Sequence, residues 1–459
     1  MIVNFDILRI KVKEEAEKIG FTDWEISFSG SQGTELMVRD GEVSNFENSI
    51  QRGIAFRGNI NGKTGYSYSE KIDDEAILYL LKEAMENAEI LEDDAEIFFE
   101  GSESYPEVQG FFEDIEGITQ KKLIDSALEM EKALLNSSEY MKSSDMCLMG
   151  KSSGESFMAN SKGLNLSFKE NMALGYVSGI AEKDGDIKTG GDYWYGTDIN
   201  SFSPNDLGKA TGEKIVSHLG AKTIQSDDMN VVFENEAMSD ILATFCGVFF
   251  AENVQKGFSL LKDKNDTVIA SECLTIKDDG ICEKSGYSMP FDSEGVAVFN
   301  KNVIENGVLK TLLYNIKSAT KDGVKSTGNG FRASIKSPAV TACTNLYIEE
   351  GKISKAELLK KVGNGIIITD VAGLHAGANT ISGDFSLSAE GFLIENGEIT
   401  SPIEQITVAG NFYDILKNVV AVADDIKFSM VSAMGVFGSP SVFVGKMSIS
   451  GMWYGYSLY

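Results

Sequence analysis

The first 90 residues alternate between helical and strand-like spacings of apolar positions. Apolar side chains recur every three or four residues between positions 4 and 19, which predicts an amphipathic helix that ends at Gly20. Asp73 is placed to cap a second helix that reaches about residue 88. Between the helices, alternation predicts short strands at 24–28, 35–39, 53–57 and 64–69, with turns at Asp40-Gly41 and Asn61-Gly62.

The next segment contains the same ingredients in a different order. Residues 91–117 are acidic and include Pro106, which is typical of a connection. A helix is predicted at about 119–135, and then strands with turns near residues 160–163 and 183–186. Ser203 is an N-cap before a proline, which predicts a helix that ends near His218.

Beyond residue 230 the pattern favours strands. Residues 231–233 predict a strand, and the helix after it carries apolar residues on one face as far as Phe249. Asn-Gly pairs at 306–307 and 396–397 predict two hairpins. Ser354 begins a capping box, and residues 365–370 predict a buried strand that leads into a glycine-rich loop.

These patterns together predict an α+β protein. An N-terminal α/β-type region of helices and antiparallel strands comprises subdomains at 1–95 and 110–220, and a β-rich C-terminal domain occupies 225–459. The length of 459 residues is ample for several domains with buried cores.

Charge and composition narrow the functional classes. The 69 acidic residues exceed the 41 basic ones, giving a formal net charge of -28, and so acidic a surface argues against direct nucleic-acid binding. The five cysteines form no CxxC pair, which favours reduced, buried thiols. The N-terminus lacks the pattern of a signal peptide and no apolar run is long enough to span a bilayer, so we expect a cytoplasmic protein without membrane contact.

Short motifs succeed one another over about 150 residues of the C-terminal region. Their shared order resembles that of the TldD/TldE (PmbA) family. The motifs lie at residues 291–295, 306–307, 326–330, 373–377, 382–385, 390–391, 407–411 and 438–441.

The resemblance implies a zinc metallopeptidase in one branch of that family. That branch carries an HExxxH motif on the helix after residues 231–233, and a cysteine in the loop at 373–377. Here Ala376 stands in place of the cysteine, and the chain has only two histidines, His218 and His375. A zinc peptidase needs three protein ligands and a general base. The resemblance therefore favours the TldE branch, with no metal, no cofactor and no catalytic residue in this chain, and it leaves open whether the chain is itself an enzyme.

Several polar residues allow two interpretations. The predicted helix offers Asp240, Thr244, Cys246 and Glu252. Glu236 and Asp240 lie one turn apart and form either a carboxylate pair in a cleft or, as we favour, a solvated face or a helix N-terminal charge that complements the helix dipole. Cys246 lies in an apolar stripe typical of a core thiol.

The two histidines and the glycine-rich segments present similar alternatives. His375 is either a donor in a peptide groove or, as we favour, a hydrogen-bonded loop anchor, and His218 is predicted to complement a helix C-terminus. Glycine-rich segments that let an extended peptide approach give the groove candidates His375, Asn329, Arg332, Ser382 and Asp384.

Two functions are compatible with these observations. By resemblance, the chain is a TldE-like subunit that forms a heterodimer with a zinc-bearing TldD-like partner and helps it to cleave unfolded or modified peptides. The alternative is a self-sufficient homodimeric peptide-binding or regulatory protein without hydrolytic activity. Direct modulation of DNA gyrase agrees poorly with the acidic surface. In either case we expect a dimer, with segments 326–332 and 375–384 near a shared groove or interface.

Overall fold

The computed structural model describes residues 4–90 and 96–451. Within them, no helix combines the length and apolarity needed to cross a membrane. The helices are α1 (Phe5–Ile19), α2 (Asp74–Ile90), α3 (Glu113–Glu116), α4 (Gln120–Asn136), α5 (Pro204–Ser217), α6 (Asn235–Phe245), α7 (Ala251–Gln255), α8 (Ile316–Asp322), α9 (Lys355–Val362), α10 (Leu374–Gly377) and α11 (Phe412–Asn418).

The same ranges contain long strands in the N-terminal region and mostly shorter ones beyond it. They are β1 (Asp23–Arg39), β2 (Glu42–Ile60), β3 (Lys63–Ser69), β4 (Met141–Asn160), β5 (Asn165–Lys183), β6 (Asp186–Gly196), β7 (Asp227–Phe233), β8 (Ile276–Asp279), β9 (Asn300–Glu305), β10 (Val308–Leu309), β11 (Gly330–Phe331), β12 (Val340–Thr341), β13 (Asn345–Ile348), β14 (Gly365–Ala372), β15 (Asp384–Glu395), β16 (Glu398–Asn411), β17 (Ala421–Val422), β18 (Lys427–Phe428), β19 (Val436–Ser439) and β20 (Val442–Ser450).

One antiparallel sheet joins both halves of the N-terminal region. Its order in the described chain is β3-β2-β1-β4-β5-β6, so each predicted subdomain contributes three strands. Helices α1 and α2 cover one end of the sheet, and α4 and α5 cover the other. Ile26 packs under the first pair and Leu36 under the second. Because these residues lie an even number of positions apart in β1, all four helices cover the same face of the sheet.

The predicted separate strands at 24–28 and 35–39 are wrong, because β1 is continuous. The intervening residues 29–34 include two glycines and several polar residues, and glycine is unfavourable inside a strand. In the structure each of these residues pairs with β2 on one side and with β4 on the other. Pairing on both edges supplies the backbone hydrogen bonds that hold this polar segment extended.

Local sequence signals place most element ends correctly. Asp73 and Ser203 accept the expected N-cap hydrogen bonds, and Ser354 forms the predicted capping box. The predicted hairpin turns have positive φ at both central residues, for example 54° at Asp40 and 77° at Gly41. Residues 91–95 of the predicted connection lie outside the described residues.

The C-terminal region contains two six-stranded sheets in the part of the chain described here. One has the order β10-β9-β8-β13-β19-β18. The other has the order β16-β15-β14-β7-β20-β17, and β16 also pairs with β20, so five of its strands close into a ring. Helix α6 packs into the large core shared by these elements, through residues such as Ile241 and Phe245. The α+β class is therefore confirmed.

The helix after β7 is shorter than predicted. α6 ends at Phe245, a 3-10 turn covers Cys246–Phe249, and a separate helix, α7, carries Glu252. The break has a physical cause, because Phe250 is extended and the N–H of Ala251 donates to the carbonyl of Leu313. The last strand, β20, is continuous through a bulge near Gly445.

Candidate functional site

The start of α6 and the loop after β14 lie side by side. β7 leads into α6, and β7 pairs in parallel with β14, with Phe233 opposite Ile368. Parallel strands end at the same edge of a sheet, so the segments that come after β7 and β14 meet there. This brings the charged side of α6 close to Asp370 and to the loop at 373–383. We call this region the α6 cleft.

Glu236 on α6 is held by two lysines. Lys427 Nζ donates to its Oε1 at 2.5 Å, and Lys214 Nζ bonds its Oε2. Burial opposes ionisation, but Lys427 and Lys214 outweigh it and lower the pKa of Glu236 below its usual value. Glu236 lies in the first turn of α6, as expected of a helix N-terminal charge, but it is not freely solvated. Lys214 comes from α5, so its bond to Glu236 ties the N-terminal region to α6.

Asp240 lies one turn further along α6. Burial, then Asp370, then Glu236 raise its pKa to about 6. The pKa of Asp370 is also raised, first by burial and then by Glu390. Nearby carboxylates disfavour the charged form of a carboxyl group, so such a group binds a proton at a higher pH than usual. The cleft is therefore negatively charged at neutral pH and takes up a proton in mild acid.

His218 joins the two regions at the base of the same cleft. It is the C-cap residue of α5, as the sequence predicts, but it is buried rather than on the surface. Its Nδ1 lies 3.0 Å from the carbonyl of Lys214, and its Nε2 lies 3.2 Å from Thr369 Oγ1. The ring also packs against Phe392. These contacts make His218 a structural link between α5 and β14.

The loop between β14 and β15 brings three of the five groove candidates onto one segment. Ser382 Oγ donates to Asp384 Oδ2, and Asn411 Nδ2 donates to Asp384 Oδ1, both at 2.8 Å. These donors lower the pKa of Asp384. His375 is exposed and forms no hydrogen bond to any described residue, so it does not anchor the loop. Asn379 does so, accepting from the N–H groups of Ile381 and Ser382.

Asn329 cannot line a groove, because it is fully buried. Its Nδ2 donates to Asp278 Oδ2 at 2.8 Å and to the carbonyl of Ala342 at 2.9 Å. Its Oδ1 accepts from Thr327 at 2.7 Å. Asp278 also pairs with Lys301 at 2.9 Å, with both side chains almost entirely buried. The amide of Asn329 therefore satisfies a buried ion pair and is not available to a peptide.

Arg332 is likewise bound to a buried carboxylate. Its Nη2 donates to Glu25 Oε1 at 3.0 Å, and Arg57 binds the same carboxylate through Nε at 3.0 Å and Nη2 at 2.9 Å. Burial opposes the charge on Glu25, but the two arginines outweigh it and lower its pKa. Arg332 thus joins the C-terminal domain to the helix-free face of the N-terminal sheet rather than lining a groove.

The residues present do not fit a zinc ion. Cys246 is buried at 3% exposure and lies against Cys343. Glu252 accepts from the N–H of Thr341 and pairs with Lys256. Within residues 4–90 and 96–451, no group of three or more His, Cys, Asp or Glu side chains is arranged to hold a metal. No metal-dependent step can be assigned to these residues.

Sequence patterns missed Asp370, Lys214 and Lys427 as members of the cleft. Asp370 comes after a buried strand, immediately before the glycine-rich loop, and this position could have marked it. The two lysines gave no local signal, because they reach Glu236 from elements that lie 22 and 191 positions away in the chain.

Comparisons with known proteins agree with this architecture along almost the whole chain. Three family models match: PmbA/TldA metallopeptidase domain 1 at residues 24–88, the central domain at 113–219 and the C-terminal domain at 226–451. An uncharacterised protein of Methanocaldococcus jannaschii is 31% identical and covers 94% of this chain and 97% of its own. The metalloprotease PmbA of Escherichia coli O157:H7 is 26% identical, and the match covers 93% of this chain and 92% of that protein.

Solved structures show the same fold. A proposed modulator of a DNA gyrase from Thermotoga maritima is 32% identical, with a TM-score of 0.88 over 97% of this chain and 100% of that one. TldE from Thermococcus kodakarensis has a TM-score of 0.89 with the same coverage, and at 21% identity it shows similarity of fold alone.

Proposed function

Because the chain belongs to the TldD/TldE (PmbA) family, we propose that it is the non-metal-binding subunit of a TldD/TldE-type metallopeptidase complex. The complex cleaves unfolded or modified peptides in the cytoplasm, and a zinc-bearing, like-folded subunit supplies the metal. This chain contributes part of the peptide path and none of the zinc ligands.

The proposal rests on the residues that line the α6 cleft. The cleft has the position that the resemblance assigns to a zinc site, between α6 and the loop after β14. It contains Asp240, Thr244 and Asp370, with Glu236 already neutralised by two lysines. With two histidines in the whole chain, one of them buried against Thr369, the cleft has no HExxxH motif to offer.

The charge of the same cleft suggests how the subunit binds a peptide. Asp240 and Asp370 give it negative charge at neutral pH, which favours segments that carry lysine, arginine or a free amino terminus. His375 is exposed on the loop above, and neither ring nitrogen bonds a described residue, so both can bond a peptide backbone. Ser382, Asp384 and Asn411 hold the end of that loop in one conformation.

The proposal is tested by reconstitution with a family member from the same organism that carries HExxxH and a cysteine in its glycine-rich loop. Hydrolysis of fluorescently labelled, unfolded β-casein is measured for each chain alone and for the mixture. We expect negligible turnover by this chain, chelator-sensitive turnover by the mixture, and none when the HExxxH glutamate of the partner is replaced by glutamine. Failure of this chain to bind the partner or to change its hydrolysis would favour the homodimeric peptide-binding alternative.

The contribution of the loop is tested in the reconstituted complex. His375→Ala removes an exposed side chain without a hydrogen bond in the described structure, so folding is unaffected. Loss of one hydrogen bond to the peptide raises KM about threefold to tenfold, with kcat unchanged. Lys321→Ala, at an exposed residue near the end of α8, is the matched control and leaves KM as it is. An unchanged KM for His375→Ala would remove this histidine from the peptide path.

A further inference from the structure

The groove between α4 and α5 contains an open cavity of about 380 Å³. It lies on the exposed side of the two helices, and its lining residues are Glu129, Lys132, Ala133, Asn136, Ser137, Asn205 and Lys209. Cavities that bind small molecules usually have volumes of about 300–1,000 Å³. The groove is therefore large enough to hold a small ligand, and we call it the α4–α5 cavity.

Two glycines of α5 determine how the helices align. A Cβ added at Gly208 would lie 2.2 Å from the carbonyl oxygen of Met130. A Cβ added at Gly212 would lie 2.0 Å from Ser137 Oγ. Glycine at both positions lets the backbones approach more closely than a side chain would allow. The contacts follow the same order along both helices, so α4 and α5 run in parallel.

Parallel packing brings two lysines to the same level of the cavity. Gly208 also lies against Ala133, so its neighbour Lys209 is level with Lys132, and both lysines line the cavity. Within the described chain Lys132 forms no ion pair. Lys209 has an exposed contact with Glu213 at 3.8 Å, and such contacts contribute little. Two cations that share a cavity repel each other, and a bound anion relieves that repulsion.

Two amide side chains add hydrogen-bond donors to the cavity. Asn136 and Asn205 line it, and neither side chain bonds another residue in the described part of the chain. Glu129 lines it as well, but comes three residues before Lys132, about 4.5 Å along the axis of α4. The lysine end of the cavity therefore combines two positive charges with the amide of Asn136, a set of donors suited to an oxyanion.

The negative charge of the whole protein does not exclude an anion from this cavity. The formal net charge is -28, but charges farther away than about 8 Å are largely screened at physiological ionic strength. Glu131, the neighbour of Lys132, is buried, and its carboxylate accepts from the N–H groups of Asp40 and Gly41 at 2.8 and 2.9 Å. The charges that line the cavity therefore decide what it binds.

We propose that the α4–α5 cavity binds a small molecule through an oxyanion, a phosphate or a carboxylate group, held between Lys132 and Lys209 with Asn136 as a further donor. A second cavity of about 370 Å³ shares Lys132 and Asn136 and is also lined by Leu128 and Leu135. An apolar part of the ligand packs there. The site is independent of the peptidase proposal, because this chain binds the ligand by itself.

The first test is isothermal titration calorimetry of the full chain at low ionic strength, with inorganic phosphate and separately with hexanoate. We expect one of these probes to bind saturably, one per chain, with a Kd of about 1 mM or lower. Binding of phosphate indicates a phosphate-bearing ligand, and binding of hexanoate indicates a carboxylate with an apolar chain. Absence of saturable binding of both probes would overturn the proposal.

Variants locate the site in the same titration. Lys132→Met should raise the Kd about tenfold or more, since it removes a charged hydrogen-bond donor. Lys122→Met is the matched control, because Lys122 is exposed on the same helix, about 15 Å away along its axis, and does not line the cavity. Its Kd should equal that of the wild type. Equal losses of affinity in the two variants would contradict the assigned site.

The second test needs no variant. Lysines of the wild-type chain are acetylated with a limiting amount of N-hydroxysuccinimidyl acetate, with and without the bound probe, and each site is quantified by mass spectrometry. We expect the probe to reduce acetylation of Lys132 and Lys209 severalfold and to leave Lys122 unchanged. Acetylation of Lys132 and Lys209 that the probe does not reduce would show that the anion binds elsewhere.

Discussion

Arg332 and Glu25 form an ion pair across 307 positions of sequence, with Arg332 Nη2 lying 3.0 Å from Glu25 Oε1. The pair joins a loop of the C-terminal domain to the first strand of the N-terminal sheet. Arg57 completes the pairing of Glu25, and Glu294 lies close enough to influence the pKa of Arg57. Arg332, a groove candidate from its sequence, is therefore part of the contact that holds two domains together.

Replacing Arg332 with methionine should destabilise the protein rather than weaken peptide binding. Glu25 is 2% exposed and would lose one of its two cationic partners. Leaving a buried charge undercompensated costs about 3 kcal/mol. Urea unfolding followed by fluorescence measures the loss. Lys336→Met removes an exposed pair with Glu70 from the same segment and should cost less than about 1 kcal/mol. Equal effects of the two variants would show that the buried pair has no special role.

A second prediction concerns the buried pair of Lys301 and Asp278. Lys301→Met leaves Asp278 fully buried, and among the described residues the amide of Asn329 and the N–H of Thr344 remain as its donors. We expect a loss of about 3–5 kcal/mol in the free energy of unfolding. Lys310→Met breaks the exposed pair with Asp266 and is the control, with an expected change below about 1 kcal/mol. A small effect of Lys301→Met would mean that water reaches Asp278.

Asp240 should make stability depend on pH near its raised pKa of about 6. The folded state holds the proton more tightly than the unfolded state, so stability rises as pH falls through 6 towards 4. Asp240→Asn should therefore stabilise the protein at pH 7.5 by on the order of 1 kcal/mol, after allowance for solvent screening, and the gain should vanish near pH 4.

Asp384→Asn is the control for this pH dependence, and its effect on stability should have the opposite sign. The pKa of Asp384 is lowered, first by Asn411 and then by Ser382. Its charged form is favoured by folding, so Asp384→Asn should destabilise the protein at neutral pH, and the effect should disappear in acid. Thermal unfolding of both variants from about pH 7.5 down to about pH 2 measures these slopes, because the contribution of Asp384 is lost only below its unfolded pKa of about 4. Parallel slopes for the two variants would contradict the assigned environments.

Local sequence chemistry predicts the ends of elements well, because a cap or a turn is determined by neighbouring residues. Ser354 and Glu357 form their reciprocal bonds as expected, and Asn306-Gly307 turns with positive φ at both residues. The continuity of β1 was not predictable from residues 29–34, since partner strands supply its hydrogen bonds. The union of both N-terminal halves in one sheet also depends on long-range pairing of β1 with β4.

The site was harder to predict than the elements, because its members come from distant segments. Segment 375–384 was identified by its glycines and lies at the α6 cleft. The sequence predicts Asn329 and Arg332 for the same groove, yet each is bound to a buried acid, Asp278 or Glu25, that only the fold brings to it. Similarly, Asp240 gains its partner Asp370 from a strand 130 positions later.

The central claim, that this chain is the non-metal-binding member of a peptidase pair, is tested most directly by metal analysis. Zinc is measured by mass spectrometry after mild chelation and gel filtration, for the purified chain and for its complex with the HExxxH-bearing partner. We predict no stoichiometric zinc in the chain alone and about one zinc per partner chain in the complex. About one tightly held zinc per molecule of this chain alone would contradict the account.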